Sequence, residues 1–415
     1  MDKAGKDFLL NEEYEMHLEM MYRSLGEIDT RQQGKVVHRV EVIMLSALIG
    51  VFANCQSWNE VADFAAERIG FIRSFFPDVT KTPSHDTLRR FFCLLDPKAM
   101  ERSYRSWALK LQKDSAGLKE GAGRHIAIDG KTIKGGTNER GRRAEDGFFI
   151  PQEESPGRLH IVSAFSVDDC LSLGQERVGG KENEIVAIPR LLDDLDLSKG
   201  DVVTIDAMGT QREIASKIAG KKADYLLEVK KNQLTLWETI AGNMADYERV
   251  PLSRDVYKEH STREQGHGFV VLRDCRTCSA VRSLGRIYRD WEGLKTYGVI
   301  RTERINEKTG ESSVESHYLI TSLENNPERI MQVKRKHWGI ENGLHWQLDI
   351  TFKEDGDRKR KNSAQNFSVI NKMSLAILKA YRHKDKRASI KRKRMMAAWN
   401  EECLFDLITK WILAF

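Results

Sequence analysis

Apolar residues recur every three to four positions in HRVEVIMLSALIGVF and again in NEVADFAAERIGFIRSFF, which predicts helices over about residues 36–112. Next comes TPSHDTLRRFFCLL, where Thr82 or Ser84 is placed to cap a helix and Pro83 suits its first turn. Leu88, Phe91, Phe92 and Leu95 supply its apolar face, and Arg89 and Arg90 point outward. This pattern fits the second helix of a helix-turn-helix and equally fits a plain packing helix. Periodicity fades near Ser115 in a Gly-containing stretch, which reads as a linker.

Beyond the linker the pattern becomes α/β. RHIAIDGKTIKG predicts a short buried strand ending at Asp129, and RLHIVSAFSV and DCLSLGQERV predict two strands joined at Asp168-Asp169. NEIVAIPRLLDDLDL has helical spacing. DVVTIDAMG predicts a second buried strand ending at Asp206, TQREIASKIAGKKA a helix, and DYLLEVKKNQ a strand ending at Lys230. Together these give a mixed sheet with helices on both sides. From about 245 to 322 short alternating runs return, including HGFVVLRDCRTC, TYGVIRTERI and ESHYLITSL, and predict an inserted β-rich subdomain. A helix resumes at PERIMQVKRKHWGIENGLHWQLDI.

At 415 residues the chain exceeds a single core, so two or three domains are expected. Its longest apolar run, Ile43 to Ala53, falls short of the roughly 20 residues a membrane helix needs. The first residues, MDKAGKDFLLNEEYE, lack a secretory signal, so a cytoplasmic protein with no membrane partner is expected. Six scattered cysteines read as buried thiols, and Cys275 and Cys278 form a lone CxxC. The net charge of +6 decides little, but residues 351–395 hold fifteen Lys or Arg against four Asp or Glu. That stretch, with runs at 358–361 and 391–394, points to contact with nucleic-acid phosphates or to a solvated basic face.

Asp129 and Asp206 each close a strand of one form, IAID and VTID. The sheet fixes the backbone of such a carboxylate while its head meets solvent, and adjacent strands would bring the pair together. Crowded carboxylates repel unless a proton or a divalent cation neutralises them. His337, Glu341, His345 and Asp349 stand four apart on one helical face, with Trp338, Asn342 and Trp346 on the neighbouring strip. Three readings fit that face: a solvated polar ladder, a zinc site of His337, Glu341 and His345, or a third acid for the aspartates. In the third, two divalent ions about 3.5–4 Å apart would serve phosphoryl transfer, with Asp349 and Glu354 as rival ligands. Asp129 and Asp206 lie 77 residues apart and Asp206 and Glu341 lie 135 apart, a surplus that matches the β-rich insertion.

The chain resembles the H-repeat-associated group of bacterial insertion-sequence transposases, within the DDE class. The resemblance rests on IAIDGKTIKGG, KENEIVAIPRLL, VVTIDAMGTQREIA, ADYLLEVKKNQ, HWGIENGLHWQLDITFKEDGDRKRKNSAQN and SIKRKRMMAAWNEECLFDLI. It implies an α/β fold with an RNase H-like mixed-sheet catalytic domain, a β-rich insertion and an all-α N-terminal domain. The expected divisions are 1–115 helical, 120–240 catalytic, 245–322 insertion, 325–384 last catalytic helices and 385–415 a basic tail helix. Asp129, Asp206 and Glu341 are the implied catalytic acids, holding two Mg²⁺ or Mn²⁺ per site. Implied partners are double-stranded DNA, as inverted-repeat element ends and target, and a second copy in a homodimer on DNA near the nucleoid.

The expected reaction is metal-dependent cleavage at element ends followed by strand transfer. The alternatives are an RNase H-like nuclease without strand transfer and an inactive or domesticated DNA-binding remnant. Lys131, Lys230, Asn232, Gln233, Arg335, His337, Arg358 and Arg360 are candidate DNA contacts, and Trp291 a candidate for base stacking or core packing. Two departures stand out. The Tyr-Arg-Glu-Lys signature around the last acid of related transposases is replaced by Lys334, His337 and Leu348, and Phe269 stands where a basic residue is expected.

Overall fold

A computed structural model describes residues 12–115, 123–134, 159–179, 182–249, 256–356 and 359–415. The first part is helical: α1 (Glu12–Ile28), α2 (Val40–Phe52), α3 (Trp58–Glu67), α4 (Ile69–Phe75), α5 (His85–Leu94) and α6 (Pro97–Ser115). VEVIMLSALIGVF is apolar on nearly every side, and accordingly every residue of α2 is buried. A capping box starts α3: Ser57 accepts from the Glu60 backbone N–H while the Glu60 carboxylate accepts from Ser57. Ser84 rather than Thr82 caps α5, accepting from the Thr87 N–H at 3.3 Å, so Pro83 lies before the cap and not in the first turn.

The strands form one nine-stranded sheet in the order β3-β2-β1-β4-β5-β9-β8-β7-β6. Strands β1 (His125–Ile133), β4 (Val202–Ile205) and β5 (Asp224–Val229) are parallel; β2 (Leu159–Ser166) is antiparallel to β1, and β3 (Leu171–Val178), antiparallel to β2, runs in the direction of β1 again. This is the RNase H-like arrangement. Helix α7 (Glu184–Asp194) covers β2 and β3 and packs on α8 (Arg212–Gly220). Strand β1 does not stop at Asp129. It continues to Ile133 because β2 pairs with it throughout, whereas β4 leaves it after Ile128↔Ile205.

Helix α9 (Leu234–Arg249) leads into the β-rich segment, where β6 (Tyr257–Gly266), β7 (Phe269–Ser279), β8 (Thr296–Asn306) and β9 (Ser312–Thr321) form an antiparallel meander. Strand β9 pairs with β5 from Leu226↔Thr321 to Val229↔Tyr318, so the meander extends the same sheet. His267 and Gly268, with φ of 53° and 77°, form the two-residue turn between β6 and β7. Cys275 and Cys278 are free and buried, and burial pushes both thiols up to about 12. Three apart on a strand, they face opposite sides.

Helix α10 (Pro327–His337) crosses the sheet, and α11 (Asn362–Ala380) is buried between the helical layer and β3. Asn366 on α11 donates to the Phe92 and Leu95 carbonyls, both at 2.9 Å, which closes the end of α5. The expected single basic tail helix is two helices, α12 (Ile390–Trp399) and α13 (Glu401–Leu413), and α13 packs on α1 and α2. Half of the basic run at 391–394 is buried. Lys393 donates to the Leu378 and Tyr381 carbonyls at 2.6 and 2.8 Å, and Arg394 donates to those of Val51 and Thr351. Carbonyls at helix ends lack intrahelical partners, and these cations supply them.

Candidate active site

Parallel pairing of Ile128 with Ile205 puts Asp129 and Asp206 one residue further along neighbouring strands, at the same end of the sheet. Asp129 is less exposed than Asp206, with side chains 24% and 55% exposed. Burial, with Asp206, Glu184 and Glu341 nearby, pushes the Asp129 carboxyl up to about 7. A hydrogen bond from His337 does the opposite for Asp206 and holds its carboxyl below the usual range.

The segment after α10 brings in the remaining groups. Regular helix stops at His337, and wider turns follow over Glu341–His345 and Gln347–Thr351, where Trp346 N–H donates to Glu341 O and Phe352 N–H to Gln347 O at 3.1 Å. A regular helix advances about 40° beyond a full turn at every fourth residue, and the wider turns remove that drift. The predicted face therefore survives across the sheet end. His337 Nε2 donates to Asp206 Oδ1 at 3.1 Å while its Nδ1 accepts from Thr204 Oγ1 at 2.9 Å. His345 Nδ1 lies 3.2 Å from Glu341 Oε2 and 3.5 Å from Asp129 Oδ2. Burial pushes His345 down to about 3, so it is a neutral imidazole between two carboxylates.

Among the described residues, Asp129, Glu341 and His345 form a group whose ligand atoms all lie within 4.8 Å of one another. His337 is not in that group, which breaks up the zinc set of His337, Glu341 and His345. Asp349 and Glu354 are both taken by Lys131, at 2.7 and 3.0 Å. Their side chains therefore serve an ion-pair cluster beneath the site.

Two residues that the sequence reading passed over also belong here. Glu184, the first residue of α7, accepts from His160 Nε2 at 2.8 Å and adds a further carboxylate near Asp129. A Cβ on Gly130 would lie 2.1 Å from the Glu184 carboxylate, so only glycine lets that side chain approach. The KENEIVAIPRLL stretch holds Glu184, but nothing in its spacing ties it to a strand more than fifty residues earlier.

The set of crowded oxygens and one neutral imidazole is suited to a divalent cation, which would relieve the repulsion that protonates Asp129. Family comparison decides the class. Residues 24–108 match the family model described as DDE_Tnp_1-associated, and residues 120–377 match that described as Transposase DDE domain. The chain belongs to the DDE transposases. YncI of Escherichia coli O157:H7, named as a proposed transposase, is 36% identical over 90% of each chain. YhhI of Escherichia coli strain K12, named as a proposed H repeat-associated transposase, is 32% identical over 92% of this chain and 95% of its own. A cryo-EM structure of the piggyBac transposase synaptic complex with hairpin DNA aligns over 90% of this chain and 75% of that one, at 13% identity and a TM-score of 0.37. As a DDE transposase the chain is a DNA-cleaving enzyme of a divalent-metal-dependent class.

Most of the DNA contacts expected from the sequence of this transposase have other partners. Lys131 is enclosed by acids, Lys230 lies 3.1 Å from Glu228, and Arg335 grips Glu264 at 2.6 and 3.1 Å. Asn232 and Gln233 donate to the Ala207 and Thr210 carbonyls at 2.8 and 2.9 Å, holding the loop that follows Asp206. Arg360 is exposed beside Arg89 and Arg90 on a cleft of about 910 Å³, and Arg358 lies outside the described residues. Trp291 is 3% exposed, so it packs in the core and does not stack on a base. At the signature positions Lys334 pairs with Glu228 at 2.6 Å and Leu348 is buried. Arg304 lies 3.8 Å over the Phe269 ring, so the neighbouring strand carries a cation to the place where one was expected. No helix among the described residues is long and apolar enough to cross a membrane.

Proposed function

We propose that this transposase cuts the ends of its own element and joins the freed 3′-hydroxyl to target DNA, with Asp129, Asp206 and Glu341 as the catalytic acids. The observation that carries the reading is that Asp129 on β1 and Glu341 after α10 lie with His345 in one group of ligand atoms, while Asp206, outside that group, follows the paired end of β4 beside Asp129. Asp129, Asp206 and Glu341, with His345 beside them, would hold two Mg²⁺ or Mn²⁺ ions, which would supply charge neutralisation at the phosphate and acidify the attacking hydroxyl. Each surrounding residue then has a positioning task. His337 orients Asp206, Asn232 and Gln233 fix its loop, and the neutral His345 keeps Glu341 against Asp129 without adding charge. Two element ends need two such sites, which supports a homodimer on DNA.

The test is cleavage and strand transfer on DNA carrying the sequences that flank the coding region, with Mg²⁺ or Mn²⁺. Asp206→Asn is expected to cut on the order of a hundredfold more slowly or worse. Equal cutting by both proteins would overturn the assignment of the acids. Cutting without joined product would leave a nuclease.

A further inference from the structure

Residues 337–352 are laid out in four straight strips, and one of them has no partner in the fold. His337, Glu341, His345 and Asp349 face the sheet end, and Ile340, Leu344, Leu348 and Phe352 are in the core. Gly339 and Gly343 press against β2 and the turn after it: a Cβ at either would lie 2.5 Å from Val167 or 2.9 Å from Phe165. These contacts fix the rotation of the segment and turn the remaining strip to solvent. That strip is Trp338, Asn342, Trp346 and Ile350, with Trp338 64%, Trp346 49% and Ile350 60% exposed. Met208, two residues past Asp206 in the adjoining loop, is also half exposed.

Large apolar side chains held out in water on a rigid segment mark a contact surface. We infer that Trp338 and Trp346 form a stacking platform for unpaired nucleobases flanking the scissile phosphate. The inference rests on the reading that Asp129, Asp206 and Glu341 act on DNA. The platform is one helical strip away from Glu341, within reach of a strand whose phosphate meets the acids. Charge makes bases the fitting occupant. Asp129, Asp206, Glu341 and Glu184 repel phosphate here, and the nearest cations on α10, Lys334, Arg335 and Lys336, are each paired with an acid. The face of a base carries no such penalty, and stacking on indole tolerates any sequence. Unpaired bases at the cut would also free the backbone to bend into a site recessed at a sheet end.

The probe is a forked duplex with four unpaired nucleotides and 2-aminopurine at the first of them, compared with the fully paired duplex of the same sequence, both in Ca²⁺. Wild type is expected to quench the probe in the fork. The exposed double variant Trp338→Ala/Trp346→Ala should lose the quench and bind the fork about tenfold more weakly or worse, while changing less than about twofold on the paired duplex. Trp338→Phe/Trp346→Phe should restore most of the fork preference. An unchanged fork preference in the alanine variant overturns the platform, as does an equal loss on both DNAs. A change in sedimenting mass with fork preference intact would make the strip a contact between copies, and also overturns it. Cleavage of flanking-sequence DNA by wild type in Mg²⁺ is scored separately. Its failure alongside a tryptophan-dependent fork preference would reject the catalytic reading and leave the stacking.

Discussion

Asp129 carries its proton close to neutral pH because burial and three neighbouring carboxyls disfavour its charge. A cation at this site must displace that proton, and the direction follows from the raised value. Below about 7 the proton competes and above it the site is already ionised, so Mn²⁺ affinity should rise up to about tenfold per pH unit towards 7 and then level off. Calorimetric titration of the metal-free protein between pH 6 and 8 checks this, and a flat profile would place the cation away from Asp129. At this scale the sequence was informative where a residue ended an apolar run: IAID and VTID marked the two aspartates. It was silent where the partner was remote. Lys131 looked free to hold phosphate, yet Asp349 and Glu354, more than two hundred residues on, enclose it. No periodicity encodes such a pairing.

The stretch from Pro327 to Thr351 was legible as helical, and its polar face was legible too. The change to wider turns was not: there Gly339 and Gly343 approach Val167 and Phe165, neighbours that no local pattern reveals. Those contacts make Gly343 a sensitive position. Gly343→Ala must push the Phe165 ring aside, which is expected to cost about 1–3 kcal/mol of stability and to lower cleavage by displacing Glu341. Gly356→Ala meets nothing within 4 Å and serves as the control in urea denaturation and cleavage assays. Half of the basic run at 391–394 departs from expectation for a related reason, while Lys391 and Arg392 stay exposed. Charge density alone cannot reveal that Lys393 and Arg394 cap carbonyls inside the fold.

In the whole molecule, the mixed α/β order and the helical layer before it follow from the sequence pattern, while continuity of the β-rich segment with the same sheet does not. Alternation predicts strands but leaves their neighbours open, and the β5–β9 pairing settles the matter. The cleft between α3, α5 and residues 352–356 and 359–371 opens on a surface with Arg89, Arg90, Lys353, Arg360 and Lys361. If that surface follows the DNA backbone, Arg89→Ala/Arg90→Ala will weaken binding to all sequences alike. The slope of log affinity against log salt should then fall by roughly 2. Anisotropy titrations over a range of salt check this, and an unchanged slope would leave the arginines as a solvated basic face.

The clasp of α13 over α1 and α2 also has a consequence in time. The apolar helix Val40–Phe52 leaves the ribosome early and meets α3 at once, but the part of its cover that residues 401–413 supply arrives some 350 residues later. At about 5–20 residues per second that is a wait of roughly 20–70 seconds. During that interval a nascent chain leaves the patch of this largely apolar helix that α13 later covers open to chaperones. Messages cut short before codon 401 should therefore yield aggregates or degradation products, and no shortened rival that occupies element ends. Decay of such a gene by truncation would be silent for its intact copies.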